Sequence, residues 1–279
     1  MAPPGTKQVD VDEIIGHGLE YQGVTFASKP AALRQLLLVR EIVANIEAEP
    51  GVIGLDVGSK YGDLSTMLAA HEIRCVRVDI EDRPSQGEFV LADGEALPLR
   101  DGSVDFVVLS HVMAHAPKIQ AFMGEMARVL KPGAKIFILQ SNRFGWWKFW
   151  GYYLRRNDRI YHWRTFDVWS LRRTLADHGL TVDFMFAPYY FYLHSKVSRL
   201  FYWLDRRLEH RVPNVVSTQW LVMGHKALLD EAVGARGTSP PPFARAVLTG
   251  FATLQAVGVK AMELALVRVL KRGAVDEQT

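Results

Sequence analysis

One cysteine, Cys75, in 279 residues excludes an internal disulfide, and with it the small secreted scaffolds that cross-links hold together. A lone thiol inside an apolar run reads as core filler and fits a reducing cytoplasm. Strong charge is also lacking. The formal net charge is only +3, so bulk electrostatics give no case for a nucleic-acid partner. No apolar run reaches the roughly 18 residues of a membrane span. The start Met1-Ala2-Pro3-Pro4-Gly5 has no charged segment leading into an apolar one, so no secretory signal is expected. No internal repeat is visible. Glycine is missing at one decisive place. The turn Gly58-Ser59-Lys60-Tyr61-Gly62 carries Lys60 where a G-x-G-x-x-G dinucleotide fingerprint has a glycine, which disfavours a plain nicotinamide-dependent oxidoreductase.

What is present is a set of short apolar runs that end in acids. Val52-Ile53-Gly54-Leu55-Asp56-Val57 runs into that turn and then toward a helix. A strand, a glycine turn and a helix start present backbone N–H groups that suit an anion or a carboxylate. Cys75-Val76-Arg77-Val78-Asp79 leaves a carboxylate about 20 residues further on, the spacing of an acid that accepts ribose hydroxyls. Glu88-Phe89-Val90-Leu91-Ala92 delivers Asp93, able to accept from an exocyclic amine. Val104 to Leu109 ends at Ser110-His111. Taken singly, each has a plain reading: a glycine after a strand is a turn, and a strand-terminal Asp is a helix cap. Apolar strands alternating with helical stretches as far as Ser141 predict a mostly parallel sheet covered on both faces, with ligands beyond the carboxyl ends of its strands.

The stretch from about Leu55 to Gln140 resembles a class I S-adenosylmethionine-dependent methyltransferase. The residues that carry the likeness are Asp56-Val57-Gly58, Asp79, Ala92-Asp93-Gly94-Glu95-Ala96-Leu97-Pro98, Ser110-His111-Val112-Met113-Ala114-His115, and Arg128-Val129-Leu130-Lys131-Pro132-Gly133 before a fifth strand. The resemblance implies an α/β fold, a three-layer Rossmann-like sandwich with a mostly parallel seven-stranded sheet. It implies S-adenosylmethionine as cofactor. Asp56, Gly58 and Gly62, with Ser59 in the same turn, would line its methionine end, Asp79 the ribose, and Asp93 and Gly94 the adenine, while Ser110 and His111 would lie beneath the sulfonium. Lys60 departs from the pattern. It motivates a rival reading as a noncatalytic S-adenosylmethionine-binding or regulatory protein.

The 279 residues hold one large domain with additions. Residues 1–28 read as irregular, 29–226 as the methyltransferase domain, 233–242 as a linker rich in Gly and Pro, and 243–279 as a C-terminal helix and tail. A helix is expected from Lys29 to Ala48, and another from Phe166 to His178, capped by Thr165 and closed by Gly179. The fifth strand is expected over Lys135–Leu139, a sixth over Leu180–Ala187 and a seventh over Thr218–Gly224. All seven tryptophans follow the fifth strand. Two inserts, about 143–164 and 188–213, mix aromatics with cations and are read as lids over an acceptor pocket. Their plainer reading is an auxiliary core. Trp and Tyr among Arg and Lys also suit a membrane interface, and the uncharged stretch Ala246 to Val259 suits a docked or interfacial helix.

Methyl transfer from a sulfonium depends chiefly on positioning. A hydroxyl or phenol acceptor would also need a base, and His111 is the first candidate, with His162 at the edge of the acceptor pocket. His115, one helical turn beyond His111, reads as structural, and without a third ligand no metal site is expected. The acceptor is expected to be a small molecule or lipid-like, met in the cytoplasm or at a membrane surface.

Overall fold

Strands buried on both faces need no polar alternation, and the apolar runs here have little. The computed structural model of the chain describes residues 20–21, 24–25, 29–83, 87–142, 166–189 and 219–228. In chain order they form β1 (Glu20–Tyr21), β2 (Val24–Thr25), α1 (Lys29–Asn45), β3 (Gly54–Val57), α2 (Asp63–Ala69), β4 (Cys75–Asp79), β5 (Phe89–Leu91), β6 (Val104–Ser110), a 3-10 turn (Met113–His115), α3 (Ile119–Val129), β7 (Leu130–Ser141), α4 (Val168–Ala176), β8 (Leu180–Tyr189) and β9 (Gln219–Lys226). The chain divides into two units, Met1–Gly237 and Thr238–Thr279, and every described residue belongs to the first.

Seven strands make one sheet in the order β5-β4-β3-β6-β7-β9-β8. The five from β5 to β7 are parallel, and β9 runs antiparallel to both β7 and β8. Leu55, Val57, Val107, Leu109, Ile136 and Ile138 pack on one face with Phe122, Met123 and Met126 of α3 and Leu171 and Leu175 of α4. Phe106, Val108, Phe137 and Leu139 pack on the other with α1 and α2. There Phe106 and Phe137 meet edge to face, ring centroids 6.2 Å apart. Strand order turns around between β3 and β6, whose ends pair Val57 with Leu109. The crevice outside those two ends is where such sheets hold ligands.

Several boundaries differ from expectation. Residues 1–28 are not wholly irregular, because Glu20 pairs with Thr25 and Tyr21 with Val24, a two-residue hairpin spacing. The first helix stops at Asn45, three residues early; Asn45 Nδ2 turns back onto the Glu41 carbonyl at 2.8 Å, and Pro50 lies just ahead. The later helix starts at Val168, not Phe166, since Asp167 is its cap. Asp167 Oδ1 accepts from Trp169 N at 3.0 Å and Ser170 N at 2.9 Å, and Ser170 Oγ accepts from Asp167 N at 2.9 Å. That reciprocal pair makes Asp167 the cap, and Thr165, the cap expected from the sequence, lies outside the described residues. Phe166 is instead buried and bridges Asn142. The fifth strand extends to Ser141 because β9 pairs along it as far as Ser141↔Gln219. The insert 143–164 with His162, nearly all of 188–213, the linker and the C-terminal helix lie outside the described residues.

Candidate functional site

At the switch point the chain leaves β3 through Gly58, at φ 74°, and passes to α2 through Gly62, at φ 76°, a conformation that favours glycine. A Cβ at Gly58 would lie 2.6 Å from Val112 Cγ2, so the turn after β3 touches the turn after β6 directly. Gly94 is held as closely on the far side, where a Cβ would lie 2.5 Å from the Phe122 ring. Both positions are closed to any side chain.

The turn does not offer its amides to an anion as expected. Gly58 N and Ser59 N both donate to the Val78 carbonyl, at 2.8 and 3.2 Å, and Gly62 N donates to Ser59 O at 2.8 Å. Lys60 N donates to Asp79 Oδ2 at 2.9 Å. The Gly58, Ser59 and Lys60 N–H groups are spent on pinning the turn to β4 and that of Gly62 on closing the turn itself, and the glycines serve its shape. Ser59 Oγ is buried and makes no hydrogen bond among the described residues, leaving it as a polar group the turn has not used.

Three strands in a row bring their acids to the same edge. Asp79 ends β4; its Oδ1 accepts from Glu81 N at 3.2 Å and its Oδ2 from Lys60 N, leaving further lone pairs for hydroxyl donors. Asp93, exposed just beyond β5, accepts from Glu95 N at 2.9 Å. Asp56 sits lower. It is 3% exposed, faces α2, and accepts from Ser65 Oγ at 3.4 Å, so it forms the floor of the turn instead of an open wall. Burial pushes its carboxyl up to about 7, while Ser65 and the Arg77 cation pull it down. Lys60 takes the left-handed φ of 49° with an exposed side chain.

On the other side of the crevice Ser110 ends β6 and His111 follows at φ 59°. His111 N donates to the Leu139 carbonyl at 2.7 Å, and His111 Nδ1 lies 3.3 Å from Ser141 Oγ. His115 is exposed on the 3-10 turn. Sequence reasoning passed over the end of β7, where Gln140, Ser141 and Asn142 are all buried. Gln140 is 1% exposed, and its Oε1 has no hydrogen-bond partner among the described residues. Three successive polar residues closing an apolar run were the available signal.

Residues 55–138 match the family described as Methyltransferase domain. Among curated proteins, the biotin biosynthesis bifunctional protein BioHC of Cellvibrio japonicus is 33% identical over 93 residues, 30% of this chain and 18% of that protein. The ubiquinone/menaquinone biosynthesis C-methyltransferase UbiE of Acidiphilium cryptum is 34% identical over 119 residues, 37% of this chain and 48% of that protein. The chain therefore spans less than half the length of these two relatives. A solved SAM-dependent methyltransferase from Archaeoglobus fulgidus shares the fold, with a TM-score of 0.50 at 16% identity over 69% of this chain and 94% of that one.

Proposed function

We propose that this chain is a class I S-adenosylmethionine-dependent methyltransferase that transfers a methyl group to a small-molecule acceptor, a reading supported by the match of residues 55–138 to the Methyltransferase domain family. The observation that carries this is the turn at the switch point, where Gly58 and Gly62 take left-handed φ angles of 74° and 76° beside the Asp79 carboxylate. In this reading Gly58, Ser59 and Gly62 seat the methionine end, with Asp56 beneath them, Asp79 accepts from the ribose hydroxyls, and Asp93 with Gly94 borders the adenine. Ser110 and His111 lie across the crevice at the reacting end.

The cofactor supplies an electrophilic methyl group on a sulfonium. This chain's residues hold and orient the reactants and exclude water, which accounts for most of the rate gain in such a transfer. His111 suits a base for a hydroxyl or phenol acceptor, because Ser141 Oγ beside Nδ1 fixes the ring. His162 and the aromatic inserts supply the acceptor pocket, and their mixture of rings and cations favours a bulky apolar or lipid-like acceptor at a membrane surface. Quinone biosynthesis, named for the Acidiphilium relative, fits that class. The rival reading as a noncatalytic binder rests on Lys60, whose side chain is exposed.

Calorimetry with S-adenosylmethionine, S-adenosylhomocysteine and NAD tests the reading: the first two should bind and the third should not. Asp79→Ala should weaken binding by about 1–3 kcal/mol, the cost of leaving polar partners unpaired. An unchanged affinity would move the ribose elsewhere. Binding with no turnover of any quinone, phenol or fatty acceptor would favour the noncatalytic rival.

A further inference from the structure

We infer that Arg77 is a positioning residue for the cofactor turn: together with Asp79 it clamps the Lys60 peptide in the left-handed conformation that a glycine would adopt unaided. The inference rests on the turn being the methyl donor's seat.

Left-handed backbone is unfavourable for a residue with a Cβ, so something must hold Lys60 at φ 49°. Its side chain cannot, since it lies in solvent. Its peptide groups are gripped instead. Lys60 N donates to Asp79 Oδ2 at 2.9 Å, and Arg77 Nη2 donates to Lys60 O at 3.2 Å. Residues two apart on a strand share a face, so Arg77 and Asp79 reach, from the same side of β4, the two peptide groups that flank the Lys60 Cα.

Arg77 is itself held still. Its guanidinium lies 5.0 Å over the ring of Phe89, its registered neighbour on β5, and Asp56 is its registered neighbour on β3. Only 1% of Arg77 is exposed. A guanidinium that deep is expensive to desolvate and needs partners that hold it, and the Lys60 carbonyl is one of them. Lys60 and Arg77 are then a matched pair, the second offsetting the strain of the first.

The pairing predicts a non-additive cycle. In the full-length chain, Arg77→Met should weaken S-adenosylhomocysteine binding about tenfold, equivalent to one good hydrogen bond. Lys60→Gly alone should change it by less than about threefold, and in the Lys60→Gly background Arg77→Met should again cost less than about threefold. Hydrogen exchange across residues 58–62 without ligand should quicken in Arg77→Met and slow again in the double variant. Should Arg77→Met fail to fold, Arg77→Lys, which keeps the cation but shortens its reach, carries the same cycle. Equal losses in both backgrounds, or no loss at all, overturn the clamp. A wild-type chain that binds no S-adenosylhomocysteine overturns the methyl-donor reading instead, and the exchange experiment still decides the clamp.

Discussion

Asp56 shows how burial turns an expected ligand group into part of the floor. Its place in the sequence is that of the acid before the glycine turn, yet its carboxylate faces Ser65 and Arg77 below the surface, and burial raises its pKa to about 7. An unfolded chain would titrate it near the ordinary carboxyl value of 3.8. The folded state therefore holds the proton more tightly, so this residue's contribution to stability is full below about pH 4 and is lost as pH rises through about 7. Urea midpoints taken from pH 4 to 8 should fall for the wild type and stay flatter for Asp56→Asn, which keeps the shape and cannot ionise. Parallel curves for the two proteins would show that Asp56 does not titrate in that window. Lys60 makes a related point about legibility: the absent glycine was plain in the sequence, but the direction of the lysine side chain was not, because a φ angle is a property of the folded turn.

At the scale of elements, the loop between β5 and β6 carries Asp93 and Gly94, and α3 staples it down. Glu125 Oε2 accepts from Leu97 N at 2.6 Å, while Arg128 donates to Leu97 O at 3.1 Å and Leu99 O at 2.7 Å. Arg128 holds the Glu125 carboxyl below the usual range, and Glu125 and Asp101 together push the Arg128 guanidinium up. The two carbonyl bonds should matter more than the outer ion pair, since Asp101 is 81% exposed and screened by water. Arg128→Met should cost about 1–3 kcal/mol of stability and speed exchange across 95–101, while Asp101→Asn should fall within about 0.5 kcal/mol of wild type. A large effect of Asp101→Asn would show that the ion pair, not the carbonyls, holds the loop. The sequence Arg128-Val129-Leu130-Lys131-Pro132-Gly133 was legible as a recurring segment, but its work on a loop 27 to 31 residues away was not. Helix α4 was misjudged for a similar reason: Thr165 and Asp167 are both good caps by composition, and only the side-chain return from Ser170 selects one.

For the whole molecule, no helix among the described residues is long and apolar enough to cross a bilayer. The aromatic and cationic inserts and the uncharged stretch Ala246 to Val259 are the parts composed for contact with a membrane surface. Flotation with anionic liposomes should carry the full chain upward and leave behind a chain ended at Ser239. Equal flotation of both would assign the contact to the inserts, and flotation of neither would exclude the surface reading. The sequence by itself determined the strand runs, the acids at their ends and the methyltransferase likeness, because residue type, periodicity and spacing are local quantities. Only the tertiary structure decided that Asp56 lies beneath the turn, that Gln140 Oε1 is buried without a hydrogen-bond partner among the described residues, and that Arg77 and Asp79 grip Lys60. Those outcomes depend on register, which sets side chains 17 and 19 residues away on the peptide groups either side of Lys60 and which no run of neighbouring residues encodes alone.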